Sequence, residues 1–125
     1  MAAGVRNADG RGFADARTIL RSGAPRVRPG DNSTIGVVAT NAKLTKAQAS
    51  YLAQMTDDGY ARAIWPIHTM VDGDTVFAIA TGTRSGEPDM IALGALAADV
   101  MATAVIRGAT QASGLPNLPA VRDLK

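Results

Sequence analysis

Two short apolar runs rich in β-branched residues, Thr34–Asn41 and Thr75–Thr81, are the chain's two buried-strand patterns, and a helical pattern follows each. The predicted order is therefore strand, helix, strand, helix. Two strands do not make a self-standing sheet. The chain is expected to draw partner strands from an upstream segment or from another copy of itself.

The helical patterns have their own punctuation. Thr45 is a good N-cap, and Ala47, Tyr51, Leu52 and Met55 recur at helical spacing, predicting a helix to about Thr56. Asp57-Asp58-Gly59 reads as its stop, as a C-terminal glycine would be. A second helical stretch is expected from Tyr60 to Ile64, ending before Pro66. Asp89 caps the longest predicted helix, Met90 to Gln111, whose apolar face is read as Ile91, Leu93, Leu96, Val100, Ala104 and Val105. The small residues of that helix, Gly94, Ala95, Ala97, Ala98, Ala102 and Ala104, invite a close neighbour. Only 4% of the residues are aromatic against 46% hydrophobic, so the core must be built from small and aliphatic side chains. Residues 1–31 carry Pro25, Pro29-Gly30 and five arginines between Arg11 and Arg28, and read as a poorly ordered, solvated linker with two possible helical turns at Phe13–Leu20.

Asn32-Ser33-Thr34 stands at the start of the first strand pattern. A serine or threonine becomes a self-sufficient nucleophile when the peptide bond before it is cut, because its new α-amine serves as the base. Such an amine has a reference pKa of about 7.7–8.0. Ser33 is the candidate nucleophile and Thr34 its competitor; the bland reading of the tripeptide is a turn. Asp72 and Asp74 lie 39 and 41 residues beyond Ser33 (72 − 33 and 74 − 33). Alternation along an extended segment puts both carboxylates on one face, where one or both can hold the Ser33 amine; the competing reading of Asp72-Gly73-Asp74 is a simple turn. His68, the single histidine, makes a Ser33–His68–Asp72 triad formally available, but no nucleophile-elbow motif accompanies it and a structural role is favoured. Tyr60 and Trp65 read as packing residues.

Three blocks in order carry a family resemblance: Asn32-Ser33-Thr34-Ile35-Gly36-Val37-Val38-Ala39-Thr40-Asn41, then Asp58-Gly59-Tyr60-Ala61-Arg62-Ala63-Ile64 with Pro66-Ile67-His68-Thr69, then Asp72-Gly73-Asp74-Thr75-Val76-Phe77-Ala78 with Ala80-Thr81-Gly82. Together they resemble the L-aminopeptidase/D-esterase family of N-terminal-nucleophile hydrolases, whose relatives include β-peptidyl aminopeptidases and nylon-oligomer hydrolases. The resemblance implies an αββα sandwich, of which this chain is an incomplete α/β portion. It implies a precursor cut at Asn32–Ser33 into α and β chains, with residues 1–31 as linker or tail of α and 32–125 as the nucleophile-bearing β region. It implies Ser33, Asp72 and Asp74 as catalytic residues, a peptide or small amide as substrate, a missing α chain as partner, and a homo-oligomer. Many relatives carry threonine where this chain has Ser33, and the aminopeptidase branch carries Ser and Glu at the two acidic positions. The oxyanion hole is expected from the α chain, since residues 1–31 hold no matching motif.

Composition narrows the alternatives. A net charge of +2 is too balanced to argue for nucleic acid or an anionic membrane. Without cysteine there is no disulfide, thiolate nucleophile or zinc–thiolate site. One histidine and scattered carboxylates predict no metal, and Gly82-Thr83-Arg84-Ser85-Gly86 falls short of a phosphate loop, so no cofactor is expected. Polar residues directly after Met1-Ala2-Ala3-Gly4 argue against a signal peptide, no uninterrupted apolar run of membrane length is expected, and a cytoplasmic location follows as an expectation. Two rival functions stay open. One is a truncated, inactive interaction domain. The other is an acyltransferase similar to the ornithine acetyltransferases, whose Ala-Thr cleavage pattern Asn32-Ser33-Thr34 does not match.

Overall fold

The β-branched run after Thr34 forms β1 (Ile35–Thr40), and the run after Asp74 forms β2 (Thr75–Ala80). They pair in parallel, Ile35 opposite Thr75 and Thr40 opposite Ala80. The computed structural model describes residues 1–23 and 33–124. A parallel pair needs a long crossover, and here it is α2 (Lys46–Ala63); α3 (Met90–Gln111) follows β2. The expected α/β order of strand, helix, strand, helix is borne out. Before it come an antiparallel bridge between Arg6 and Phe13 and a short helix, α1 (Ala16–Arg21), capped by Asp15. A 3₁₀ turn at Val121–Asp123 closes the described chain.

Both long helices start where the sequence puts their caps. Thr45 Oγ1 accepts from Gln48 N–H at 3.2 Å while Gln48 Oε1 accepts from Thr45 N–H at 2.9 Å, a reciprocal capping box. Asp89 Oδ1 accepts from Ile91 and Ala92 N–H at 3.0 and 3.1 Å.

The end of α2 departs from expectation. The helix does not stop at Asp57-Asp58-Gly59 but runs unbroken to Ala63. Gly59 is buried at the crossing with α3, where a Cβ would lie 2.5 Å from the Ala98 carbonyl oxygen and 2.6 Å from Met101 Cβ. This glycine therefore lets two helices touch instead of ending one. The helix stops at Ile64, which turns extended two residues before Pro66.

The packed face of α3 also differs from the expected one. Its buried stripe is Gly94, Ala97, Ala98 and Met101, laid against α2. Ile91, Leu96 and Val100, predicted to face the core, are 87%, 61% and 64% exposed. Small residues win the interface because they let the backbones approach closely. The helix has 22 residues and a mean hydropathy of 1.7, the length and composition of a membrane span, although Asp99 interrupts it. That aspartate pairs with Arg62 of α2.

The two helices cover one face of the sheet only. Gly36, Val38, Val76 and Ala78 point beneath them and are half-buried. The other face presents Ile35, Val37, Phe77 and Ile79, all more than half exposed.

The helix crossing makes a paired prediction. Gly59→Ala should destabilise the fold by about 1–3 kcal/mol, because backbone at Ala98 has to move. Gly108→Ala in α3, with nothing within 4 Å of the new methyl, should instead stabilise by about 0.5–1 kcal/mol. Urea midpoints of the two variants against the parent chain measure both.

Candidate functional site

The parallel register builds the site. Ile35 faces Thr75, so one step upstream Thr34 faces Asp74, and one step further Ser33 faces Gly73. Two hydrogen bonds carry the pairing beyond the strand ends. Thr75 N–H donates to the Thr34 carbonyl at 2.9 Å, and Thr34 N–H donates to Asp74 Oδ1 at 2.8 Å. Ser33 Oγ lies where Gly73 has no side chain: a Cβ there would be 2.5 Å from it. Ser33 itself is exposed. Asn32 lies outside the described residues, as do Arg26 and Arg28 of the arginine-rich segment.

Asp72 and Asp74 do different things. Asp72 Oδ2 accepts from Thr69 N–H at 2.7 Å, and Asp72 N–H returns a bond to the Thr69 carbonyl at 3.1 Å. Asp72 thus locks the turn that leads into β2. Asp74 instead reaches across to β1, and its second oxygen, Oδ2, is buried without a hydrogen-bond partner among the described residues.

His68 adopts a left-handed backbone (φ 57°) with Nδ1 3.7 Å from Asp57 Oδ2. Its carboxylate neighbour is thus Asp57, while Asp72 is committed to its own turn. Trp65 is 53% exposed, and the Arg17 guanidinium stands 5.3 Å above its ring. Among the described residues no three His, Asp or Glu side chains gather into a metal-holding group. A cavity of about 460 Å³ opens between the N-terminal segment and the ends of α2 and α3, bordered by Val5, Arg17, Trp65 and Ile106. None of Ser33, Asp72 or Asp74 lines it.

Tyr60 is the residue that sequence reasoning undervalued. It is 1% exposed, and its phenol occupies the space a side chain on Gly36 would take, together with Met101 Cε. Gly36 is the next inward position after Thr34 on β1. The Tyr60 hydroxyl, like Asp74 Oδ2, is buried without a hydrogen-bond partner among the described residues. Burial pushes the Tyr60 phenol above its ordinary pKa, and the negative charges of Asp57 and Asp74 push it further. The only sequence signal was a glycine at an inward strand position, which implies close approach.

The family model described as peptidase family S58 matches residues 4–118. An uncharacterised aminopeptidase of Mycobacterium tuberculosis is 41% identical over 106 residues, covering 74% of this chain and 31% of that protein. One from Mycobacterium leprae is 42% identical over 101 residues, covering 70% and 28%. A 6-aminohexanoate-oligomer endohydrolase of Kocuria sp. is 33% identical over 96 residues, covering 68% and 27%. The chain thus spans about a third of the length of the relatives it matches.

The raised Tyr60 pKa has a signed consequence for stability. The folded state holds the phenol proton more tightly than the unfolded state does. That contribution is fully present below about pH 10 and is lost as pH rises through the higher folded-state value. Urea midpoints measured across the alkaline range should fall more steeply for the parent chain than for Tyr60→Phe. Equal slopes would mean that the phenol ionises as freely in the fold as out of it.

Proposed function

We propose, from the premise that the chain belongs to peptidase family S58, that Ser33 is the nucleophile of an amidohydrolase activated by cutting the Asn32–Ser33 bond. The observation that carries this reading is the placement of Ser33 Oγ over the bare Gly73, beside a Thr34 whose amide is held by Asp74. A hydroxyl at an exposed strand start, fixed from the next residue onward, can turn toward either its own upstream carbonyl or a substrate.

The chemistry runs in two stages. In the precursor, Ser33 Oγ attacks the Asn32 carbonyl carbon and the C–N bond breaks, leaving an ester and a free Ser33 amine. Water hydrolyses the ester, and Asn32 departs as a carboxylate. In turnover, that amine takes the Ser33 Oγ proton as the oxygen attacks a substrate amide. The substrate's amine leaves with a proton, and water clears the acyl-enzyme. Asp74 fixes the backbone that carries the nucleophile and places a negative charge close to the new ammonium. Asp72 holds the turn that delivers Gly73 and Asp74. Thr34, the competing hydroxyl one residue on, has its amide already committed to Asp74.

The reaction class is peptide or small-amide hydrolysis. The aminopeptidase and oligomer-endohydrolase names of the relatives support that class without choosing within it. The oxyanion-hole donors belong to an upstream α chain in this reading, and the apolar face of Ile35, Val37, Phe77 and Ile79 is where further strands would stack. The chain by itself should therefore self-associate on size exclusion and hydrolyse aminoacyl anilides barely above background.

The test is a precursor carrying an upstream family α region joined to this chain. Mass spectrometry should show cleavage at Asn32–Ser33 without added protease, and none in Ser33→Ala. Asp74→Asn should lower amide turnover on the order of 10²-fold or more while the circular dichroism spectrum is kept. Unimpaired cleavage in Ser33→Ala sinks the nucleophile assignment, and full turnover in Asp74→Asn reduces that residue to a turn former.

A further inference from the structure

Two buried oxygens stand without hydrogen-bond partners among the described residues: Tyr60 Oη, a donor when neutral, and Asp74 Oδ2, an acceptor. They come from different elements. Tyr60 comes up from α2 and seats its hydroxyl under Gly36. Asp74 sits at the start of β2, opposite Thr34. Gly36 lies two residues beyond Thr34 on the same covered side of the chain, so the two oxygens belong to neighbouring positions beneath the sheet. A buried donor and a buried acceptor left apart each carry a desolvation cost, and each is the complement of the other.

We propose that Tyr60 is a positioning residue for the site, its phenol O–H held on Asp74 Oδ2 across one water, so that Asp74 Oδ1 stays on the Thr34 amide. The pairing deepens the functional reading above and rests on it for its catalytic meaning. A carboxylate gripped at one oxygen only can rotate about its Cβ–Cγ bond. Gripped at both, it is fixed, and so is the strand start that carries Ser33. The charged and titratable groups facing the phenol are Asp57 on its own helix and Asp74 from β2; α3 contributes Met101, which carries no charge.

The experiment uses the full chain, in which Tyr51 and Tyr60 are the two tyrosines. In a Tyr51→Phe background, near-ultraviolet absorbance follows Tyr60 ionisation alone. Asp74→Asn should bring that ionisation down toward the ordinary tyrosine range, because a full charge is replaced by a neutral amide. In Tyr60→Phe, which keeps the ring and its packing, exchange of the Thr34 amide proton should quicken about tenfold while amides in the middle of β1 keep their rates. In cleaved, active precursor, Tyr60→Phe should lower kcat about tenfold at constant KM. A Tyr60 titration indifferent to Asp74→Asn, or a Thr34 amide indifferent to Tyr60→Phe, overturns the pairing. These two readings need no hydrolysis. An inert protein showing both upholds the pairing while the hydrolase assignment fails, and an active one showing neither overturns the pairing alone.

Discussion

Everything at the candidate site depends on the register of one parallel strand pair. With Ile35 set against Thr75, Ser33 falls opposite a residue with no side chain and Thr34 opposite a carboxylate. A slip by one residue would turn the inward row outward and put Asp74 against Ser33 or Ile35 instead. The register is itself pinned by burial. Gly36 has to lie over Tyr60, and Val38, Val76 and Ala78 have to lie under the helices. The chemistry thus inherits its geometry from ordinary packing.

That packing is economical in a particular way. The helix pair is joined by glycine and alanine, with Gly59 of α2 set against Ala98 and Met101 of α3. Thin contacts give a close crossing but bury little apolar area. Many large apolar side chains are left on the outside, on the free face of the sheet and along the outer side of α3. Among the described residues one face of the sheet is covered, while its other face and the outer side of α3 are bare.

The strands, the caps and the long third helix were legible in the sequence because their signals are local. Thr45 and Asp89 satisfy amides within three residues of themselves. The Gly59 reading failed because a glycine after two aspartates looks the same whether it ends a helix or admits a neighbour, and only the arrival of α3 decides. The buried side of α3 failed for the same reason: bulky residues suggest a core, but the available partner could meet only small ones. At the site, alternation placed Asp72 and Asp74 together, whereas Asp72 turns back to Thr69 and only Asp74 reaches β1. Nothing local marks that divergence. Nor does the position of Tyr60 in the sequence show that its hydroxyl is buried beneath Gly36.

Thr34 is held through both of its backbone groups, its amide on Asp74 and its carbonyl on Thr75. Mechanically it is a clamp, set one residue inside the hydroxyl of Ser33. If the chain were broken before Ser33, as proposed, the change would stop at Thr34: the surroundings of Ser33 would differ while the strand stayed anchored.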